Sequence, residues 1–299
     1  MLESVDGLIG QNGVRRTVEG FLKQNRLPHT LLFWGPPGVG KFTYSLILAS
    51  QLNGDRDRIF RNIYPDVMVV FPNFKRVERE EVFQMRRGGR YYKLRDKQGN
   101  ILIDEIREIK RVSALTPYEG KWKVFIIAQA ERMTVEAMNA FLKVLEEPGP
   151  ENLFILITTD PSLLPETIVS RAVNLRFKSL SQDELKQVLQ NMGIEIDEDF
   201  LTLSRGVEDY LFLKENVDLV EKVDKLFFNK SPEERLVENP DDLDTEGVLK
   251  ALLFLLDKKR EKLGIEEVER IMDVIKRAYE FLRSNIKPEN VMRFLILEV

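Results

Sequence analysis

Leu31-Leu-Phe-Trp-Gly-Pro-Pro-Gly-Val-Gly-Lys-Phe-Thr43 is the most informative segment of the chain. Its apolar opening reads as a short strand, its glycines as a tight turn, and Lys41 onward as the start of a helix. Gly35, Pro36, Pro37, Gly38, Val39, Gly40 and Lys41 follow the phosphate-binding loop pattern G-x-x-x-x-G-K-[ST]. In that pattern backbone N–H groups cradle phosphates and the lysine reaches the outer ones. The next residue departs from it. Phe42 stands where a Ser or Thr hydroxyl would hold magnesium, and Thr43 is turned about 100° further round the helix.

Working outward, Val14 to Asn25 has helical spacing, and Tyr44 to Leu52 continues the loop as an apolar helix ending near Asn53-Gly54. Val67–Phe71, Lys123–Ile127, Leu153–Ile157 and Ala172–Phe177 read as buried strands, with a helix over Thr134–Glu146 and a short one near Pro165–Val169. Ile101-Leu-Ile-Asp-Glu105 imitates a metal-binding strand. Ile106, Ile109, Val112 and Leu115 instead continue at a helical period, which makes Asp104 the expected N-cap. Strands alternating with helices predict a parallel sheet covered on both faces.

Past Lys178 only helical patterns remain, over Ser181–Met192, Asp197–Ser204 and then from about Asn216. The expected organisation is an α/β phosphate-loop domain over residues 1–177, a small helical lid over 178–213 and an all-α domain over 214–299. The first carries a polar insert at 73–100, where Arg86–Arg95 reads as a basic hairpin. Glu78, Glu80, Glu81 and Asp96 dilute its charge, which favours a solvated hairpin over a nucleic-acid contact. The C-terminal apolar stripes at Leu249–Leu256 and Val268–Leu282 suit either a core or an oligomer collar.

The chain has 299 residues, no cysteine and a net charge of −4. These values exclude disulfides and thiolate zinc, suit a cytoplasmic protein, and give no global attraction to nucleic acid. No apolar run is long enough for a bilayer, and the N-terminus does not have the pattern of a secretory signal. His29, the single histidine, has no second histidine near it and reads as structural.

Hydrolysis on this framework needs a hydroxyl and an acidic strand end for magnesium, and a group to orient the attacking water. Phe42 replaces the first. After Ile127 the chain gives Ala128-Gln129 where the acidic residues belong, and Glu131 lies beyond the strand end. The residues therefore predict a chain that does not hydrolyse ATP by itself; whether ATP or ADP still occupies the loop stays open.

Several strings taken together resemble the AAA+ clamp-loader subunits of bacterial DNA polymerase III, over most of residues 8–210. They are Leu27-Pro-His-Thr-Leu-Leu-Phe33, Tyr64-Pro-Asp-Val67, Ile103-Asp-Glu-Ile-Arg-Glu-Ile109 and Pro117-Tyr-Glu-Gly-Lys-Trp-Lys-Val-Phe-Ile-Ile127. Further along come Ala137-Met-Asn-Ala-Phe-Leu-Lys-Val-Leu-Glu-Glu-Pro148, Thr158-Thr-Asp-Pro161 and Leu164-Pro-Glu-Thr-Ile-Val-Ser-Arg171. The resemblance implies a five-subunit ring with gamma/tau-type motor subunits and a delta subunit, which opens a sliding clamp and places it on primed DNA.

Within that family the member with a degenerate site offers an arginine to its neighbour's nucleotide. Ser170-Arg171 matches the family's Ser-Arg-Cys motif at two positions, with Ala172 replacing cysteine, so the resemblance makes Arg171 the finger in trans. On position alone, Arg171 would merely pair with a local carboxylate. Thr158, or Thr159, falls at the first-sensor position. Gly206-Val-Glu-Asp209 has Asp209 where hydrolysing relatives carry a second-sensor arginine. The family's four-cysteine module is missing, so no zinc is expected. A rival reading is an active ATPase using Thr43 with Glu131 or Glu105, and a third is a nucleic-acid binder acting through the basic hairpin.

Overall fold

The computed structural model describes residues 8–72, 99–231, 234–235, 243–284 and 286–299. The basic hairpin read at Arg86–Arg95 lies outside them. The chain divides into two compact units, one of residues 1–196 with 205–207 and one of 197–204 with 208–299.

In the first unit, β1 (Thr30–Trp34), β2 (Val67–Val70), β3 (Lys123–Ile127), β4 (Asn152–Thr158) and β5 (Val173–Arg176) form one five-stranded sheet in the order β2-β3-β4-β1-β5. Every pairing is parallel, with Leu31 opposite Ile155 and Trp34 between Thr158 and Arg176. Each residue of β3 and β4 is buried, as expected of parallel strands covered on both faces. One face packs Leu32, Phe125, Phe154 and Leu156 against Ile106, Ile109 and Phe141. The Phe125 and Phe154 rings stack 5.1 Å apart. Those helical residues come from α4 (Ile103–Ser113) and α5 (Val135–Glu146). The strand order changes direction at β1. The carboxyl end of that strand therefore opens into the crevice where α/β sheets hold ligands.

The helices α1 (Asn12–Lys23), α2 (Lys41–Asn53) and α3 (Arg56–Phe60) complete the N-terminal part, and α6 (Glu166–Val169) precedes β5. α1 begins and ends two residues earlier than its apolar spacing suggests. His29 Nδ1 lies 3.0 Å from the Asn152 carbonyl, a contact that ties the approach to β1 onto β4.

Ile101–Glu105 is not a metal-binding strand: the helix begins at Ile103. Asp104, however, is not its cap. Glu105, buried at the third helical position, accepts from Leu102 N–H at 2.9 Å, and Asp104 pairs with Arg107 on the exposed side. A glutamate there is long enough to reach back to the cap residue's N–H; an aspartate inside the first turn is not.

Two of the strings quoted above meet in space. The buried Asp66 carboxylate accepts from the N–H groups of Tyr118, Glu119 and Gly120, each at 2.7 Å, and so folds the turn that feeds β3. Asn53 Oδ1 continues the pattern by accepting from Lys121 and Trp122 N–H.

After α7 (Gln182–Asn191), the second unit contains α8 (Glu198–Leu203), most of α9 (Val207–Glu215), α10 (Val217–Phe228), α11 (Thr245–Leu263), α12 (Ile265–Arg283) and α13 (Pro288–Glu298). Leu249, Leu252 and Leu256 of α11, Ile271, Val274 and Ile275 of α12, and Val291, Leu295 and Ile296 of α13 share one core. The stripes read at 249–256 and 268–282 thus bury against each other within the chain. Arg235, only 6% exposed, donates to the carbonyls of Leu226, Phe227, Lys230 and Ile296. It satisfies acceptors that helix ends leave without intrahelical partners.

Candidate functional site

β1 ends at Trp34 and the chain turns at once. Gly35, Gly38 and Gly40 take φ values of 138°, 69° and 94°, a region open to glycine and strained for other residues. Gly35 is needed for a second reason: a Cβ there would lie 2.1 Å from the Phe177 carbonyl oxygen, just past β5. α2 begins at Lys41 with Gly40 as its cap residue and no side-chain cap. The loop and the helix N-terminus thus have the turn-to-helix backbone shape that a phosphate cradle requires, with Pro36, Pro37 and Val39 between the glycines.

Protein donors hold several carbonyls of this loop. Lys41 is buried and its ammonium donates to the carbonyls of Gly35 and Pro36, both at 2.5 Å. Val207 N–H donates to the Gly38 carbonyl at 3.1 Å, and a Cβ on Gly206 would meet the Pro37 oxygen at 2.7 Å. On the other side Gln11 Nε2 donates to Val39 O at 3.4 Å and Lys178 O at 2.7 Å, and Gln11 Oε1 accepts from Lys178 N–H at 2.9 Å. Nothing in the local sequence pattern distinguishes Gln11; a partner 167 residues away gives no local signal. Tyr44, one turn into α2, is buried, and burial reinforced by Glu19 raises its phenol above the ordinary value.

The residues fit a phosphate group in backbone shape but do not fit magnesium. Phe42 has no donor oxygen, and Thr43 is the next residue round the helix. Ala128 is fully buried, and Gln129 sits at φ 52° on the turn after β3. Glu105 is committed to its own helix cap. Glu131 follows on the 3₁₀ turn Ala130–Arg132, where one carboxylate oxygen is buried without a hydrogen-bond partner. Thr158 ends β4 with its hydroxyl bonded to the backbone of Asp160 in both directions, at 3.1 and 3.3 Å. Among the described residues no group of three or more His, Cys, Asp or Glu side chains could hold a metal ion, and no helix is long and apolar enough to cross a membrane.

Arg171 stands apart from the loop, at the end of α6. Ser170 caps that helix, its hydroxyl 3.4 Å from Thr167 O. Arg171 Nη1 donates to the same carbonyl at 2.9 Å, and Nη2 meets Glu146 Oε1 at 3.2 Å with both side chains substantially exposed. The local carboxylate that position alone suggested is therefore present, and the guanidinium still reaches solvent.

Residues 10–181, more than half of the chain, match the family model described as DNA polymerase III, delta subunit. The tau subunit of DNA polymerase III from Bacillus subtilis is 27% identical over 201 residues, which is 67% of this chain and 33% of that one. The replication factor C small subunit 1 of Pyrobaculum aerophilum is 27% identical over 205 residues, 67% of this chain and 53% of its own. The chain thus spans about a third to a half of the length of these curated relatives. A solved gamma subunit-related protein of DNA polymerase III from Thermotoga maritima aligns with a TM-score of 0.46 at 19% identity, covering 93% of this chain and 97% of its own. From the match over residues 10–181, the chain belongs to the DNA polymerase III, delta subunit family.

Proposed function

We propose that this chain is the delta prime type of clamp-loader subunit: a cytoplasmic AAA+ protein that does not hydrolyse ATP and presents Arg171 in trans to the ATP site of a neighbouring gamma/tau-type motor subunit. With that subunit, a delta subunit and a sliding clamp it would support clamp loading onto primed DNA, and residues 214–299 would serve as the oligomerisation collar. It requires no cofactor of its own and no zinc. The observation that carries the reading is the contrast between two places in one domain. The magnesium positions hold Phe42, Ala128 and Gln129, while Arg171 stands exposed at the domain edge. A guanidinium is permanently charged and planar, and supplied from a neighbour it is worth about 10³–10⁵ in phosphoryl-transfer rate.

The test is reconstitution with the motor subunit, delta subunit and clamp. The pure chain should show no Mg-dependent ATP turnover. Arg171→Ala should leave assembly intact and lower hydrolysis at the adjoining site by about a thousandfold. Normal loader activity in that variant would remove the claim. One observation favours the rival reading of an active ATPase, the unpartnered Glu131 oxygen. Mg-dependent turnover by the pure chain, abolished by Lys41→Ala, would establish it.

A further inference from the structure

We infer that Glu146 is a positioning residue for Arg171, an inference that rests on the finger reading above. Two strings 25 residues apart, Leu145-Glu-Glu-Pro148 at the end of α5 and Ser170-Arg171 after α6, converge on one guanidinium. α5 runs from its Thr134 cap to Glu146, and its buried face of Ala137, Phe141, Val144 and Leu145 anchors it to the sheet. Glu146 is therefore presented from a packed helix end. α6 is a single short turn, with Ile168 fully buried in the same core. Arg171 Nη1 is tied to Thr167 O on this turn and Nη2 to Glu146 on α5.

A free arginine side chain carries large rotamer freedom, and docking it onto a phosphate costs the part that must be frozen. Two acceptors on two separate helices fix the plane of the guanidinium before any partner arrives. Those two bonds use one N–H on each terminal nitrogen. A guanidinium has five N–H donors, so Nε–H and a second N–H on each terminal nitrogen remain for an incoming anion. Glu146 acts by holding the orientation through its oxygen, and its charge is secondary in this exposed setting, where solvent screens the pair. A neutral acceptor of the same length should serve nearly as well.

The experiment uses the reconstituted loader with wild type, Glu146→Ala, Glu146→Gln, Arg171→Ala and the double variant Glu146→Ala/Arg171→Ala. Glu146→Ala should lower kcat at the adjoining site about two- to fivefold, the range for an exposed pair, with KM for ATP unchanged. Glu146→Gln should restore it, and the Ala change should add nothing to Arg171→Ala. A second readout needs no partner. In the isolated chain, ¹⁵N spectra of the Arg171 guanidinium should show hindered rotation in wild type and Glu146→Gln, and free rotation in Glu146→Ala. An Arg171→Ala loader with normal activity sinks the finger reading and this inference together. If Arg171→Ala is impaired but Glu146→Ala is unchanged or faster, only the positioning role falls. Free rotation of the wild-type guanidinium also overturns it.

Discussion

Gly35→Ala tests whether the turn after β1 is a requirement of the fold or only a vestige of phosphate binding. The new Cβ would sit 2.1 Å from the Phe177 carbonyl oxygen, about 0.9 Å inside the 3.0 Å that real Cβ atoms respect. The obstacle is backbone at the end of β5, held by the bond from Phe177 N–H to Trp34 O at 2.7 Å, so it cannot swing aside. The residue must also take φ 138°. Backbone strain of about 1–3 kcal/mol and overpacking of about 1–3 kcal/mol add to a loss of roughly 2–6 kcal/mol. Gly193→Ala is the control. Its φ is 67°, nothing lies within 4 Å, and only the left-handed cost of about 1–2 kcal/mol applies. Both glycines and both tryptophans of the chain, Trp34 and Trp122, belong to the first unit, so tryptophan fluorescence in urea follows that unit selectively. Losses in the two variants that differ by less than about 0.5 kcal/mol would refute the steric role of the Phe177 carbonyl.

Asp66→Ala should destabilise the first unit by about 3–5 kcal/mol in the same assay, because it strips a buried carboxylate from three backbone N–H groups. Asp66→Asn should rescue little, since its NH₂ turns a donor toward donors; full rescue would refute the account. Arg235→Leu should cost the second unit about 2–4 kcal/mol by leaving carbonyls of Leu226, Phe227, Lys230 and Ile296 without this donor. Far-UV circular dichroism would show a new early transition with the fluorescence midpoint unmoved. Tyr44 holds its proton in the folded chain beyond the ordinary value near pH 10, at which the unfolded chain loses it. The unfolded state then binds fewer protons, so this group's contribution to stability falls as pH rises past about 10. The drop in urea midpoint between pH 9 and 11 should be smaller in Tyr44→Phe, and equal drops would count against the buried phenol.

Periodicity and turn chemistry are local, and they place the strands of the sheet and most of its helices. The strands at Lys123–Ile127 and Leu153–Ile157, the helix read over Thr134–Glu146 and the helix that follows Ile101-Leu102 all follow from residues within a turn or two of each other. The misplaced cap is local too: Asp104 reads as the N-cap, but Glu105, one residue on, is the side chain long enough to reach back to Leu102 N–H. Contacts between distant positions were not legible. Gln11 against Lys178, Gly206 against Pro37 and Asp66 against Tyr118–Gly120 depend on how the sheet is threaded, which no window of neighbours encodes.

By itself the sequence determined the kind of domain and the donor atoms it can offer. A glycine-rich turn between a buried strand and a helix restricts the backbone to the shape of a phosphate cradle, and Phe42, Ala128 and Gln129 have no carboxylate or hydroxyl to give. How the remaining groups are used depends on the folded chain. It turned Lys41 onto its own loop carbonyls, closed Val207 onto Gly38, and set Glu146 beside Arg171. Side-chain identity travels with the chain, but a hydrogen bond needs two groups at one place, and the parallel sheet with its crossovers is what brings them there.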